Sequence, residues 1–419
     1  MYPMYNPVLV VADSKQNIFD LPGFYACGQA GEKVSLLSRE DLIPLPSGSN
    51  LFFLPDRYPV VFNIHKRRYE GLRDLYPVAA FVPPGYTVLS CAAYKERKSA
   101  RMLPLFSYAP VAYHKGTYYV SAVRVDRRKN HDMRSVDWAI LRRKIRMFKN
   151  TKNRLIKHLT DCALTNFCPN AVNFFLGKYE CPLPVSPYCN ARCIGCISFQ
   201  PRGSCPETQS RLAFVPTAEE IAELALMHIK AASSPMVSFG QGCEGEPLLE
   251  ADIVREAIRL IRIKTSRGTI HMNTNASLTA QVQALCEAGL DSMRVSLNSV
   301  REEFYRRYYL PRGYAFADVC NSIAVAKRYK KFVSLNYLVM PGFTDREDEF
   351  DELVRFIQST GIDMIQWRNL NYDPRRYFKR LKVCHNSGLL GIRTVMQRLR
   401  DKFPGLRYGY FNVPKEKFL

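Results

Sequence analysis

The chain has 419 residues, 47% of them hydrophobic, and a formal net charge of +22. That length accommodates two domains or one large domain with extensions, and the apolar content excludes global disorder. No stretch reaches the ~18 apolar residues of a membrane span, and MYPMYNPVLVVADSKQNIF lacks the basic-then-apolar order of a secretory signal.

Residues 1–135 read as a β-rich domain. Short runs (NPVLVV, NLFFL, YPVVFNI, AAFVPPGYTVL) are split by Pro and Gly turns, and HKGTYYVSAV reads as a hairpin arm. Residues 136–180 form a basic helical connector. In DWAILRRKIRMFKNTKNRLIKHL, Trp138, Leu141, Ile145, Phe148, Leu155 and Leu159 recur at helical spacing, and eight of the sixteen residues from Arg142 to Lys157 are Lys or Arg.

Over 181–371 the pattern alternates. PLPVSP (182–187) is a short extended run whose prolines suit a first or edge strand. TAEEIAELALMHIKAA (217–232) is a helix with a Thr cap and Glu three residues on. Strands MVSFG, TIHMNTN, SMRVSLNS, FVSLNYLVM and MIQWRNLN then alternate with four further helices. Six strands separated by helices predict an α/β fold with a parallel sheet, and polar groups at the C-terminal strand ends are the expected site. Residues 372–419 form a basic C-terminal extension.

Thirteen cysteines, an odd and unevenly spaced set, do not suit a disulfide scaffold. They suit a reducing cytoplasm, where clustered thiols serve as metal ligands. CNARCIGC (189–196) places Cys189, Cys193 and Cys196 in one loop. A zinc site would need a fourth ligand, with Cys205 the nearest. Three thiolates on a four-iron cluster would instead leave one iron open to a small ligand.

The C-x3-C-x2-C spacing resembles that of the radical S-adenosylmethionine (SAM) enzymes. The resemblance implies a [4Fe-4S] cluster on Cys189, Cys193 and Cys196, with SAM chelating the open iron. It also implies reductive cleavage of SAM to a 5′-deoxyadenosyl radical that abstracts hydrogen, and an electron donor such as flavodoxin or ferredoxin. The implied fold is a partial (β/α)6 TIM-type barrel. Gly195 departs from the family, where an aromatic residue often precedes the third cysteine. GQGCEGEPLL (240–249) resembles the family's Gly-Gly-Glu-Pro segment, which accepts from the SAM amino group. The carry-over gives Gly245, Glu246 and Pro247, with Gly242 and Glu244 added because Cys243-Glu244 looks inserted. Alone, such a segment is equally a glycine-rich turn with a capping Glu. Further SAM contacts are expected from Asn273, Asn275, Arg294, Ser296 and Asn298; polar strand-end residues are also ordinary turn formers. Asn336, Gln366, Arg368, Asn369 and Asn371 are the substrate candidates. NRLIKHLTDCAL, CNARCIGCISFQP, FGQGCEGEPLLEAD and RVSLNS together resemble a bacterial subgroup of radical SAM enzymes.

Charge is unevenly spread. Residues 1–180 hold 27 Lys and Arg against 14 Asp and Glu, 181–371 hold 21 of each, and 372–419 hold 12 against 3. A neutral core with basic flanks points to a polyanion such as RNA, met by Arg142, Arg143, Lys144, Arg146 and Lys149; an ordinary solvated surface is the plainer alternative. A membrane surface is the weaker reading. Three functions compete: a radical enzyme on an anionic macromolecule, a radical maturase acting on a peptide or small molecule, and an iron–sulfur sensor without catalysis. Cys162, Cys168 and Cys181 are the expected ligands of any auxiliary cluster, with Cys205, Cys243 and Cys384 left over.

Overall fold

The computed structural model describes residues 7–383 and 388–418, so Cys384 lies outside the described residues. Residues 7–124 fold into antiparallel strands from Val8–Ala12 to Thr117–Arg124, joined in an eleven-stranded and a three-stranded sheet. Ala109–His114 and Thr117–Arg124 make the hairpin expected of HKGTYYVSAV, turning at Lys115 and Gly116 with both φ positive.

The connector is three helices: α1 (Trp138–Arg146), α2 (Arg154–Leu164) and α3 (Pro169–Leu176). The apolar stripe runs through a break between α1 and α2. There Asn153 accepts from the amides of Leu155 and Ile156 and starts a new helix. Leu141, Ile145, Leu155, Ile156 and Leu159 are buried against the main core.

Seven strands make the catalytic-type sheet: β1 (Glu180–Pro182), β2 (Met236–Phe239), β3 (Thr269–Thr274), β4 (Ser292–Leu297), β5 (Phe332–Val339), β6 (Met364–Asn369) and β7 (Arg407–Gly409). They pair in sequence order and every pair is parallel, the arrangement of an opened β/α barrel. Intervening helices are α4 (Ala218–Ala231), α5 (Ala251–Lys264), α6 (Thr279–Ala288), α7 (Glu302–Tyr309), α8 (Phe316–Arg328) and α9 (Glu347–Thr360). Thr217 and Glu220 form the reciprocal cap that starts α4. Val237, Ile270, Met293, Val295, Leu335 and Ile365 are fully buried, as strands covered on both faces require.

Two boundaries differ from the sequence pattern. β1 stops at Pro182 because Pro182 and Pro184 have no N–H for a ladder, although Leu183 still donates to the Ser238 carbonyl (2.8 Å). The C-terminal stretch adds a seventh strand, preceded by α10 (Pro374–Leu381) and α11 (Ile392–Lys402).

The N-terminal sheet is bonded to the barrel through buried polar contacts. Arg57 is 1% exposed and reaches Glu96 (2.8 Å) and Asp373 at the start of α10 (3.2 Å). Thr87 donates to the Trp367 carbonyl (2.9 Å). No helix among the described residues is long and apolar enough to cross a membrane.

Candidate functional site

Cys189, Cys193 and Cys196 leave β1 on one loop and line one wall of a cavity of about 360 Å3 at the C-terminal strand ends. The last turn of α7 fastens that loop: Arg192 N donates to the Tyr309 carbonyl (2.9 Å) and Ile194 N to that of Tyr308 (3.1 Å). A Cβ on Gly195 would sit 2.8 Å from the Tyr308 hydroxyl, so the aromatic ring beside the third cysteine comes here from α7. Arg211 donates to Cys196 Sγ (3.4 Å). Burial pushes the Cys189 thiol up to about 11 and that of Cys193 well above its usual range. Thiols such as Cys189 and Cys193 stay neutral unless a cation draws off their protons, so these two are poor free nucleophiles and suit a metal centre. Cys205 is buried at a different cavity, with Met102, Arg202 and Arg376, and supplies no fourth ligand. A four-iron cluster held by Cys189, Cys193 and Cys196 would have one iron without a protein ligand.

The opposite wall is the loop after β2. Gly240 has φ +73 and Gly245 packs so tightly that a Cβ would lie 1.8 Å from the Tyr188 carbonyl oxygen. Gly245 N donates to Ser186 O and Glu246 N to Tyr188 O, both at 2.7 Å, which lashes this loop to the segment entering the cysteine loop. Glu244 accepts from Val185 N (2.8 Å), Ser186 N (3.2 Å) and Gln241 N (2.7 Å). Glu246 accepts from Thr274 Oγ1 (2.5 Å), Asn275 N (2.8 Å) and Leu248 N (3.2 Å). Burial raises both carboxyls to about 7 against these donors. Asn275 Nδ2 donates to Asn190 Oδ1 (2.7 Å), linking the end of β3 to the cysteine loop.

The rest of the wall carries Arg294, Arg368 and Glu180. Strand register sets Asn273 beside Arg294, and Ser296 beside Asn336 and then Gln366. Arg294 donates through Nη1 to Gln366 Oε1 (2.8 Å), while its buried Nε has no partner. Arg368 donates to the Tyr410 carbonyl (2.9 Å) and lies 4.0 Å from the Tyr410 ring centroid. Among the described residues, no carboxylate comes within 4.0 Å of either guanidinium. Burial, and then Arg368, lowers Arg294 to about 9; burial and Arg368 also hold His131 neutral, at about 3. Two half-buried guanidiniums with no ion pair, and Glu180 acting on Arg294 from the same wall, favour an anionic ligand.

Of the SAM candidates, Gly242, Glu244, Gly245, Glu246, Asn273, Asn275, Arg294 and Ser296 line this cavity. Pro247 lies behind it as the first residue of a short 3-10 turn, and Asn298 is buried against Phe304 and Tyr377. Of the substrate candidates, Asn336 and Arg368 line it. Gln366 is one step back, bonded to Arg294 and Asn412. Asn369 spends both side-chain atoms on the N-terminal sheet, at Val88 N (2.9 Å) and Tyr86 O (3.0 Å). Asn371 is not on the cavity wall, and its buried side-chain oxygen has no partner. Sequence reasoning missed His131, Asn170, Glu180, Arg211, Tyr309, Phe411 and Asn412, which also line the cavity. Arg142, Arg143, Arg146 and Lys149 are exposed on or just after α1, and Lys144 is half-buried. Cys162, Cys168 and Cys181 do not form one set: Cys181 Sγ sits against the Pro182 carbonyl (3.5 Å), while Cys162 meets His158 (3.4 Å).

The family model of the radical SAM superfamily matches residues 183–357. The GTP 3',8-cyclase of Lactiplantibacillus plantarum is 28% identical over 54% of this chain and 62% of its own length. That of Listeria monocytogenes serovar 1/2a is 30% identical over 46% and 53%. The chain thus spans less than two thirds of either relative. A solved structure, native anSMEcpe with bound AdoMet, is 13% identical with a TM-score of 0.40 over 54% of this chain and 62% of that one, a likeness too slight to bear on function.

Proposed function

This chain belongs to the radical SAM superfamily, and we propose that it is a radical SAM enzyme acting on a small anionic substrate. When bound, the [4Fe-4S] cluster, reduced by a flavodoxin- or ferredoxin-type donor, supplies the electron that splits SAM into methionine and a hydrogen-abstracting 5′-deoxyadenosyl radical. Cys189, Cys193 and Cys196 would hold the cluster, and Arg211 beside Cys196 offsets thiolate charge. The ionised Glu246 and the close-packed Gly245 loop would accept from the SAM amino group, with Asn275 keeping that loop in register with the cysteines.

The observation that carries the substrate class is the pair Arg294 and Arg368, half-buried on the same cavity as the cysteines and forming no ion pair among the described residues, although Glu180 shares the wall and acts on Arg294. Such a pair is stabilised by a phosphate or carboxylate ligand. The relatives' name adds a nucleoside triphosphate as the first compound to try. A macromolecular polyanion would rely instead on the exposed row of α1, a surface outside the cavity.

The test is anaerobic reconstitution, reduction, and chromatography for 5′-deoxyadenosine with and without GTP and other nucleotides. We expect slow SAM cleavage alone, faster cleavage with an accepted anion, and an affinity for it roughly 10- to 150-fold weaker in Arg368→Gln, as losing a hydrogen bond to a charged group implies. Absence of 5′-deoxyadenosine from protein carrying its full iron complement would sink the reading.

A further inference from the structure

We propose that His158, Cys162 and Cys243 bind a zinc ion behind the cavity, pinning the connector to the loop that carries Gly245 and Glu246. His158 and Cys162 are four residues apart on one face of α2, with Nε2 and Sγ 3.4 Å apart. Cys243 comes from the loop after β2, 81 positions further along the chain. The three ligand atoms all lie within 4.8 Å of one another, a span that a single ion bridges. Both sulfurs belong to residues only 2% exposed, while His158 is half-buried, so the ion would reach the site from the His158 side.

The donor set selects the metal. Two thiolates and an imidazole suit a borderline-soft ion in tetrahedral geometry, and hard ions such as magnesium or calcium prefer oxygen. Binding takes the proton from each thiol and leaves the imidazole neutral, so the dication and the two thiolates cancel in charge. The fourth position falls to water or to Gln209, whose side chain approaches Cys162 and whose backbone N donates to the Ile197 carbonyl, one residue past the third cluster cysteine (3.2 Å). The Cys243 carbonyl accepts from Leu212 N (2.7 Å). Three segments therefore meet at the ion: α2, the loop after β2 and the chain leaving the cysteine loop. A disulfide between Cys162 and Cys243 would leave His158 without a part in the site.

The experiment is metal analysis of the full-length protein purified without oxygen from zinc-supplied cells. We expect about one zinc per chain in addition to the cluster iron. The Cys189→Ala/Cys193→Ala/Cys196→Ala protein should lose the iron and keep the zinc, which separates this site from the radical chemistry. Cys162→Ala/Cys243→Ala should keep iron and lose zinc. Because a double core change can unfold the chain, His158→Ala at the rim is the second variant. Its zinc affinity, read by competition with a chromophoric chelator, should fall at least ~10-fold. Cobalt substituted into wild-type protein should show tetrahedral d–d bands and a thiolate charge-transfer band. Zinc far below one equivalent with no cobalt–thiolate band overturns the proposal. So does a Cys162–Cys243 disulfide in anaerobically purified protein, or a fifth iron in place of the zinc.

Discussion

Glu246 couples protonation, folding and cofactor binding in one side chain. Its carboxyl is raised to about 7 by burial. A folded value above the unfolded one means that the group's contribution to stability is fully present below about 4.5 and is lost as pH rises through about 7. SAM brings an amino group whose N–H donors prefer the carboxylate, so its affinity should run the other way. Between pH 6 and pH 8 the ionised fraction of such a group rises about tenfold, and the SAM dissociation constant should fall by about as much. Calorimetry of the cluster-loaded protein at the two pH values checks this, and Glu246→Gln should reduce the dependence to what Glu244 contributes; a wild-type affinity flat with pH removes Glu246 from the SAM site. Cys189, Cys193 and Cys196 give a simpler prediction. Changing all three to Ala should abolish visible iron–sulfur absorption in anaerobic protein, and absorption that survives refutes the ligand assignment.

Gly245 shows how much of the site one loop controls. A methyl group there would meet the Tyr188 carbonyl at 1.8 Å, so Gly245→Ala must break the bonds to Ser186 and Tyr188 or move the cysteine loop. Thermal or denaturant unfolding should show a loss of about 3 kcal/mol, at the upper end for overpacking, with iron incorporation impaired as well. The stretch carrying that glycine was legible from the sequence, as were the cysteine spacing and the capped helix at Thr217, because each is a local pattern with a local physical cause. The break in the connector between α1 and α2 was not, since the side-chain cap of Asn153 outweighs the apolar stripe that runs past it. β7 has three residues, Arg-Tyr-Gly, too few for any periodicity, and it exists only because β6 offers an open edge. Asn369 looked like a donor for substrate, yet its neighbours across space are strands near residue 87. His131, Phe411 and Asn412 reach the cavity from outside the β/α pattern, and nothing local marks them.

Across the whole molecule, several cations of the flanks serve the fold. Arg57 and Asp373 form a fully buried pair between the N-terminal sheet and α10. Arg57→Leu should cost about 3–5 kcal/mol in denaturant unfolding because Asp373 is left charged and buried, and adding Asp373→Asn should recover part of it. Arg154 pairs with Glu220 (2.7 Å), Arg393 pairs with Asp41 (3.1 Å), and Arg128 donates to the carbonyls of Phe411 and Asn412 (both 2.8 Å). Cations committed in this way are held in place by the fold and are not free to track a phosphate chain. The row on and after α1 is different, because Arg142, Arg143, Arg146 and Lys149 are exposed, and none forms an ion pair among the described residues. Four such contacts to a single strand predict a log–log salt slope of only about −3, at about −0.7 per phosphate, far shallower than a net charge of +22 would suggest. Filter binding of total cellular RNA at several salt concentrations measures that slope. Reversing Arg143, Arg146 and Lys149 to Glu should abolish the binding that remains at low salt. A slope much steeper than −3 would mean that cations assigned here to the fold also meet the polyanion. Binding that ignores salt would leave the row as solvated surface and the cavity arginines as the anion site.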